Sequence, residues 1–146
     1  MGKKRVITES KEVNASVLST KEPTVKQFKR KQFPIGILHI HSTYNNTKVL
    51  LADQNGNTLA WSSSGALGFK GAKKGTPFAA SKVGDLLADK AIETGMKDVI
   101  VQINGVGSGR ESALRSFVAK GLGIISISDI TPVPHNGPKP PKPRRV

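Results

Sequence analysis

Seven carboxylates lie in the middle of the 146-residue chain: Asp53, Asp85, Asp89, Glu93, Asp98, Glu111 and Asp129. Metal-dependent cleavage of a phosphodiester needs such groups gathered around one or two cations. These are scattered, and four fall on one expected helix or just after it, where solvated charge is the ordinary outcome. His39 and His41 alternate, so on a strand they would share a face, as metal ligands can. Zinc asks for three or four nitrogen or sulfur ligands, yet the chain has no cysteine, and the remaining histidine, His135, is far along the sequence. Packing or hydrogen bonding is the better reading of that pair. No catalytic residue, cofactor or metal site is expected.

Two glycine loops offer another chemistry, the holding of phosphate. Gly105-Val106-Gly107-Ser108-Gly109-Arg110 follows an expected strand and opens an expected helix, which invites a nucleotide. The dinucleotide fingerprint wants its third glycine where Arg110 stands, and no Gly-Lys-Ser/Thr of the Walker type occurs. A plain structural turn and an RNA phosphate site with Arg110 as its cation both remain open. The other loop, residues 62–76, carries Lys70, Lys73 and Lys74 just ahead of a helix start. Free N–H groups and the positive end of the helix dipole favour anions there, and glycine lets the backbone approach them. The alternative is a merely flexible, solvated loop. Phe69 within it serves either as an anchor into the protein's own core or as a surface for stacking a base.

Charge points the same way. Lys and Arg number 23 against 10 acids, a net charge of +13. Residues 1–34 hold nine of the cations and three acids, residues 35–131 ten and seven, and residues 132–146 four and none. The excess therefore sits mainly in the two ends, as expected for a polyanionic partner whose condensed counterions are released on binding. Without cysteine, disulfides play no part. No apolar run approaches the roughly 18 residues of a membrane span, and Met1-Gly2-Lys3-Lys4-Arg5-Val6 leads into no hydrophobic stretch. A soluble, unexported protein without membrane contact is expected.

Hydrophobic periodicity supplies the elements that must position these groups. Residues 1–34 are polar and basic without a period and read as an N-terminal extension, ordered at most on a partner. Ile37, Leu38 and Ile40 begin a strand, Val49 to Ala52 form a second, and Asn55-Gly56 is a strong hairpin signal. Thr58 to Ser63 makes a third strand, with Leu59 and Trp61 on one face. Thr76-Pro77 then reads as a helix cap with proline in the first position, and Ala79, Ala80, Val83, Leu86, Leu87 and Ala91 recur at helical spacing until Gly95 stops them. Val99 to Ile103 is a buried strand. A second helix spans Arg110 to Lys120 with Ala113, Leu114, Phe117 and Val118 inward, and Ile124 to Ile130 is the last strand. A three-strand antiparallel meander followed by two helix-strand units implies a five-stranded mixed sheet in one α/β domain, residues 35–131. From Pro132 the chain has six prolines in 15 residues, a stiff, extended, cationic tail.

Several motifs in unbroken order resemble one family. Asn45-Asn46-Thr47, the run Trp61 to Gly71, Lys74-Gly75-Thr76-Pro77-Phe78-Ala79-Ala80, Gly107-Ser108-Gly109-Arg110-Glu111 and the ending from Asp129 to Val146 look like small-subunit ribosomal protein eleven, in its bacterial or organellar form. The resemblance covers roughly residues 33–146. It implies a ribonuclease-H-like fold lacking the nuclease carboxylates and a structural role in the small subunit. The implied partners are small-subunit rRNA and neighbouring platform ribosomal proteins, with messenger RNA on its exit-site path as a further contact. It also implies a single copy rather than a homo-oligomer, on a cytoplasmic or organellar ribosome. Carried over by motif, the RNA contacts are Asn45, Asn46, Lys70, Lys74, Arg110, His135, Asn136, Arg144 and Arg145. Lys73, Lys139 and Lys142 join them on charge and position. Pro138, Asn104, Val106 and Gly75 depart from the usual cysteine, lysine, proline and serine, and the missing lysine at 104 weakens that loop's claim to RNA. Asn136-Gly137 is a pair prone to succinimide formation, so isoaspartate is expected there in some molecules.

Overall fold

The computed structural model describes residues 32–142. The elements follow in the order β1 (Ile35–Ser42), β2 (Thr47–Asp53), β3 (Thr58–Ser63), a 3-10 turn (Gly71–Gly75), α1 (Pro77–Glu93), β4 (Asp98–Asn104), α2 (Gly109–Ala119) and β5 (Gly123–Asp129). They form one sheet in the order β3-β2-β1-β4-β5. The meander β1, β2, β3 is antiparallel, and β4 and β5 run parallel to β1. This is the mixed α/β sheet that the spacing of the motifs predicts.

Alternation decides which face is inside. In β1 every second residue is buried, and the register sets Leu38 between Leu51 and Val101 and Ile40 between Val49 and Ile103. On that face α1 contributes Ala80, Val83 and Leu87, while α2 contributes Ala113 and Phe117. Phe117 is fully buried, so truncation to alanine would cost about 3–5 kcal/mol. The helices approach closely at Gly84, where a Cβ would lie 2.1 Å from Ser116 Oγ. The other face carries half-buried Ile37, His39 and Leu50 and exposed His41. A bulge at Leu51/Ala52 interrupts the β2–β3 register opposite Leu59. Leu59 therefore packs against the core while Trp61 is left 65% exposed, so the two do not behave as one apolar face.

Local signals set the ends of the elements. The Thr76 hydroxyl accepts from the Ala79 N–H with Pro77 in the first helical turn, as the sequence predicts. Beyond the Thr94 cap, Gly95 takes a φ of +76°, its N–H donates to the Ile92 carbonyl, and the Met96 N–H donates to Ala91. That pair of bonds closes a helix end of the Schellman type. The fold reaches slightly further back than β1, because Phe33 packs against the core and its N–H donates to the Thr94 carbonyl.

Candidate nucleic-acid interface

Strand direction brings the expected contact loops together. β1, β3, β4 and β5 all run the same way and β2 runs against them. The turn at residues 43–46, the loop 64–76, the glycine loop 105–108 and the root of the tail at 130–131 therefore leave the sheet at one end. In an α/β sheet that is the end where ligands are held, outside the carboxyl ends of the parallel strands. The Asp53–Asn57 turn and the two helix C-termini lie at the opposite end.

Close packing joins these loops into one rim. Gly75 sits against the β1–β2 turn so tightly that a Cβ would be 2.0 Å from the Tyr44 carbonyl oxygen. Gly107 donates its N–H to the Ser42 carbonyl at 3.0 Å, and a Cβ on Gly105 would fall 2.1 Å from that oxygen. Ser108, at the N-cap of α2, leaves its own helix uncapped; its hydroxyl donates instead to the Gly75 carbonyl, 3.0 Å away. The Gly105 N–H donates to Thr131 Oγ1 at 3.0 Å, fixing the start of the tail.

Charges on this rim fall into two groups. Lys70 and Lys73 are exposed and Lys74 is half-buried, and among the described residues none of the three pairs with a carboxylate. On the helices, by contrast, Lys82, Lys90 and Lys120 are joined to Asp85, Glu93 and Asp89, and Arg115 to Glu111. Arg110 sides with the paired group. Its guanidinium donates to the Gly105 carbonyl at 2.9 Å and to the Asp129 carboxylate. Asp129 also accepts from the Thr131 hydroxyl and N–H, and these bonds, helped by Arg110, lower its pKa to about 2. The Asp53 carboxyl is likewise held below its usual range, chiefly by the Asn57 side chain, at the far end of the sheet.

Asn45 is exposed at the tip of the β1–β2 turn, and Asn46 is half-buried with its Oδ1 finding no partner among the described residues. His135, Asn136, Lys139 and Lys142 are exposed in a segment with neither helix nor strand, and Asn136 adopts a φ of +52°. Arg144 and Arg145 lie outside the described residues, as do residues 1–31 of the N-terminal extension. Phe69 reaches neither the core nor solvent outright; it is half-buried with its ring edge-to-face on Phe78. Residues 71–75, expected as loop, wind into a 3-10 turn.

Two groups at this end escaped the sequence reading. Lys48, second in β2, is exposed and lies opposite His41 across the strands. Its outward parity between buried Thr47 and Val49 was the available signal. Tyr44 is 78% exposed beside Asn45, and a single aromatic in a turn gives no such sign.

The family model for ribosomal protein S11 matches residues 36–145. The chain belongs to the ribosomal protein S11 family. As a member of the S11 family it is a structural constituent of the small ribosomal subunit that binds rRNA and assembles with other ribosomal proteins. The match takes in all eight elements except the first residue of β1, together with the four loops of the rim. Its place of work is therefore the ribosome.

Proposed function

We propose that the loop end of the sheet is the rRNA-facing surface, and that it seats the protein on the platform of the small subunit, near the exit-site path of messenger RNA. The supporting observation is that, among the described residues, most cations without an ion pair gather there: Lys48, Lys70, Lys73 and Lys74 on the fold, with Lys139 and Lys142 following on the tail, against Lys97 at the far end. Asn45, Asn46, His135 and Asn136 supply amide and imidazole contacts among them, and Arg144 and Arg145 extend the tail's charge. Arg110 keeps free donors on its guanidinium after bonding Gly105 and Asp129, so it can reach a phosphate while holding its own loop. Contacts of this kind fix backbone position by shape and charge and carry little base code. The protein acts as a single copy beside other platform proteins, on a cytoplasmic or organellar ribosome, without membrane contact.

A binding role fits the carboxylates better than metal-dependent hydrolysis does. Asp53 and Asp98 lie at the far end of the sheet, and Asp129, at the loop end, is occupied by Arg110 and Thr131. Cleavage of an RNA–DNA hybrid by the purified protein with magnesium would overturn this. The location is tested by a crosslinker placed at residue 139 in reconstituted small subunits. Crosslinks to platform rRNA are expected, and crosslinks confined to another part of the subunit would refute the placement. Removing Lys139, Lys142, Arg144 and Arg145 together should make the salt dependence of rRNA affinity shallower by about 3–4 in log–log slope, near one per phosphate contact.

A further inference from the structure

Just beyond the lysines of the loop between β3 and α1, the first turn of α1 presents an aromatic ring to solvent. Phe78, the second residue of α1, is 65% exposed. Exposure has not left it unsupported. Phe69 meets it with ring centroids 6.1 Å apart and planes at 84°, and Lys82, one turn further along the helix, holds its ammonium 5.8 Å from the ring centre. The backbone beneath is fixed by Pro77 and the Thr76 cap, whose hydroxyl also donates to the Lys73 carbonyl at 2.7 Å. The ring is thus braced from within the chain while most of its surface faces outwards.

Its surroundings select the ligand. Lys70 follows Phe69 directly, the Lys73 carbonyl is bonded to the cap, and Lys82 stands at the ring with half-buried Asp85 as its ion-pair partner among the described residues, at a loose 3.6 Å. An apolar protein segment laid on the ring would leave these ammonium groups facing nothing. A nucleotide offers a π face to the ring and phosphates to the lysines, the combination by which single-stranded RNA is gripped. We infer that Phe78 is a stacking platform for an unpaired nucleobase, whose flanking phosphates are held by Lys70, Lys73 and Lys82. The inference rests on the loop end being the rRNA-facing surface and adds to it a base, one that must be unstacked from its own helix to reach the ring.

The test uses the full chain and two probes of equal length and charge: single-stranded RNA of about a dozen nucleotides, within the span of such grooves, and a ribose-phosphate oligomer lacking bases. Phe78→Leu should weaken binding of the base-bearing oligomer by about fivefold to a hundredfold, the range for losing one stacked base, and leave binding of the abasic oligomer unchanged. Phe78→Trp should restore affinity, and its added indole emission, measured above the background of Trp61, should be quenched by the base-bearing oligomer alone. Equal affinities of the wild type and Phe78→Leu for the RNA would overturn the inference, as would equal losses on both probes, the sign of a structural or purely electrostatic role. Unchanged Phe78→Leu affinity alongside steep salt dependence sinks the platform alone. Salt-independent wild-type binding to both probes would sink the rRNA-facing surface, and the platform with it.

Discussion

Two glycine loops, each following a strand and opening a helix, meet at the same rim and present opposite faces of one device. The loop 64–76 turns its cations outwards, with Lys70 and Lys73 exposed and, among the described residues, without a carboxylate partner. The loop 105–108 directs its polar groups inwards: Ser108 to Gly75, Gly107 to Ser42, and Arg110 to Gly105 and Asp129. Glycine spacing ahead of a helix therefore does not by itself mark a ligand loop. Where the nearby side chains end decides it, and in the proposed reading one loop meets the rRNA while the other holds that loop in place.

The largest expected effect comes from disturbing the inward loop. Gly105 has a φ of +95° and no room for a Cβ against the Ser42 carbonyl. Gly105→Ala should destabilise the fold by on the order of 3 kcal/mol, read from the urea midpoint. A change below about 0.5 kcal/mol, the range of an ordinary surface substitution, would show that the loop is not structural. The outward loop should behave in reverse. Replacing Lys70, Lys73 and Lys74 by alanine should leave the midpoint in place and flatten the salt dependence of rRNA affinity by about 2–3 in slope, equivalent to about a hundredfold loss near 0.1 M salt. A loss of stability with an unchanged slope would reverse the roles of the two loops.

Legibility in the sequence divides along the same line. Strand and helix positions follow from hydrophobic period and caps, which are local signals, and their bounds fall within a few residues of the observed elements: Val99 to Ile103 against Asp98–Asn104, and Arg110 to Lys120 against Gly109–Ala119. The lysine loop was visible as charge on glycine hinges. Hidden were the contacts between residues distant in sequence: Ser108 to Gly75, Arg110 to Asp129, and the seating of Gly75 under Tyr44. No composition or spacing encodes which side chain a folded loop will face, so a structural turn and a phosphate site both stayed open for Arg110, whose bonds to Gly105 and Asp129 show that it holds its own loop. The exposure of Phe78 was hidden too, because the helical spacing of Ala79, Ala80, Val83, Leu86, Leu87 and Ala91 sets the inward face without telling whether a neighbouring loop covers Phe78.

A smaller effect separates the two roles of Arg110 by pH. The Asp129 pKa is depressed from its ordinary 3.8 to about 2, so its carboxylate favours the folded state above the higher value, and that contribution is lost as pH falls from there through the lower one. Asp129→Asn should remove this part of the acid dependence. The difference between the unfolding midpoints of variant and wild type should therefore shrink as pH drops from 4 towards 2. A constant difference across that window would mean that the charged form does nothing for the loop. In a double-mutant cycle on rRNA affinity, Arg110→Ala and Asp129→Asn should be strongly non-additive if Arg110 acts through its own loop. Additive losses, with a shallower salt slope from Arg110→Ala alone, would make it chiefly a phosphate ligand.

The smallest change bears most directly on the comparison, because the Ser108 hydroxyl joins the two loops. Its bond to the Gly75 carbonyl is at the surface, so Ser108→Ala should cost only about 0.5–1 kcal/mol of stability. Ser108 carries no charge, and its removal takes no cation from the phosphate count. If the inward loop serves to hold the outward one, rRNA affinity should nevertheless fall, by a few-fold at most, with the salt slope unchanged, because the same lysines bind after more ordering. An affinity equal to the wild type's would show that Lys70, Lys73 and Lys74 are positioned by their own 3-10 turn and the Gly75–Tyr44 contact, and that the two loops share a rim without sharing a function.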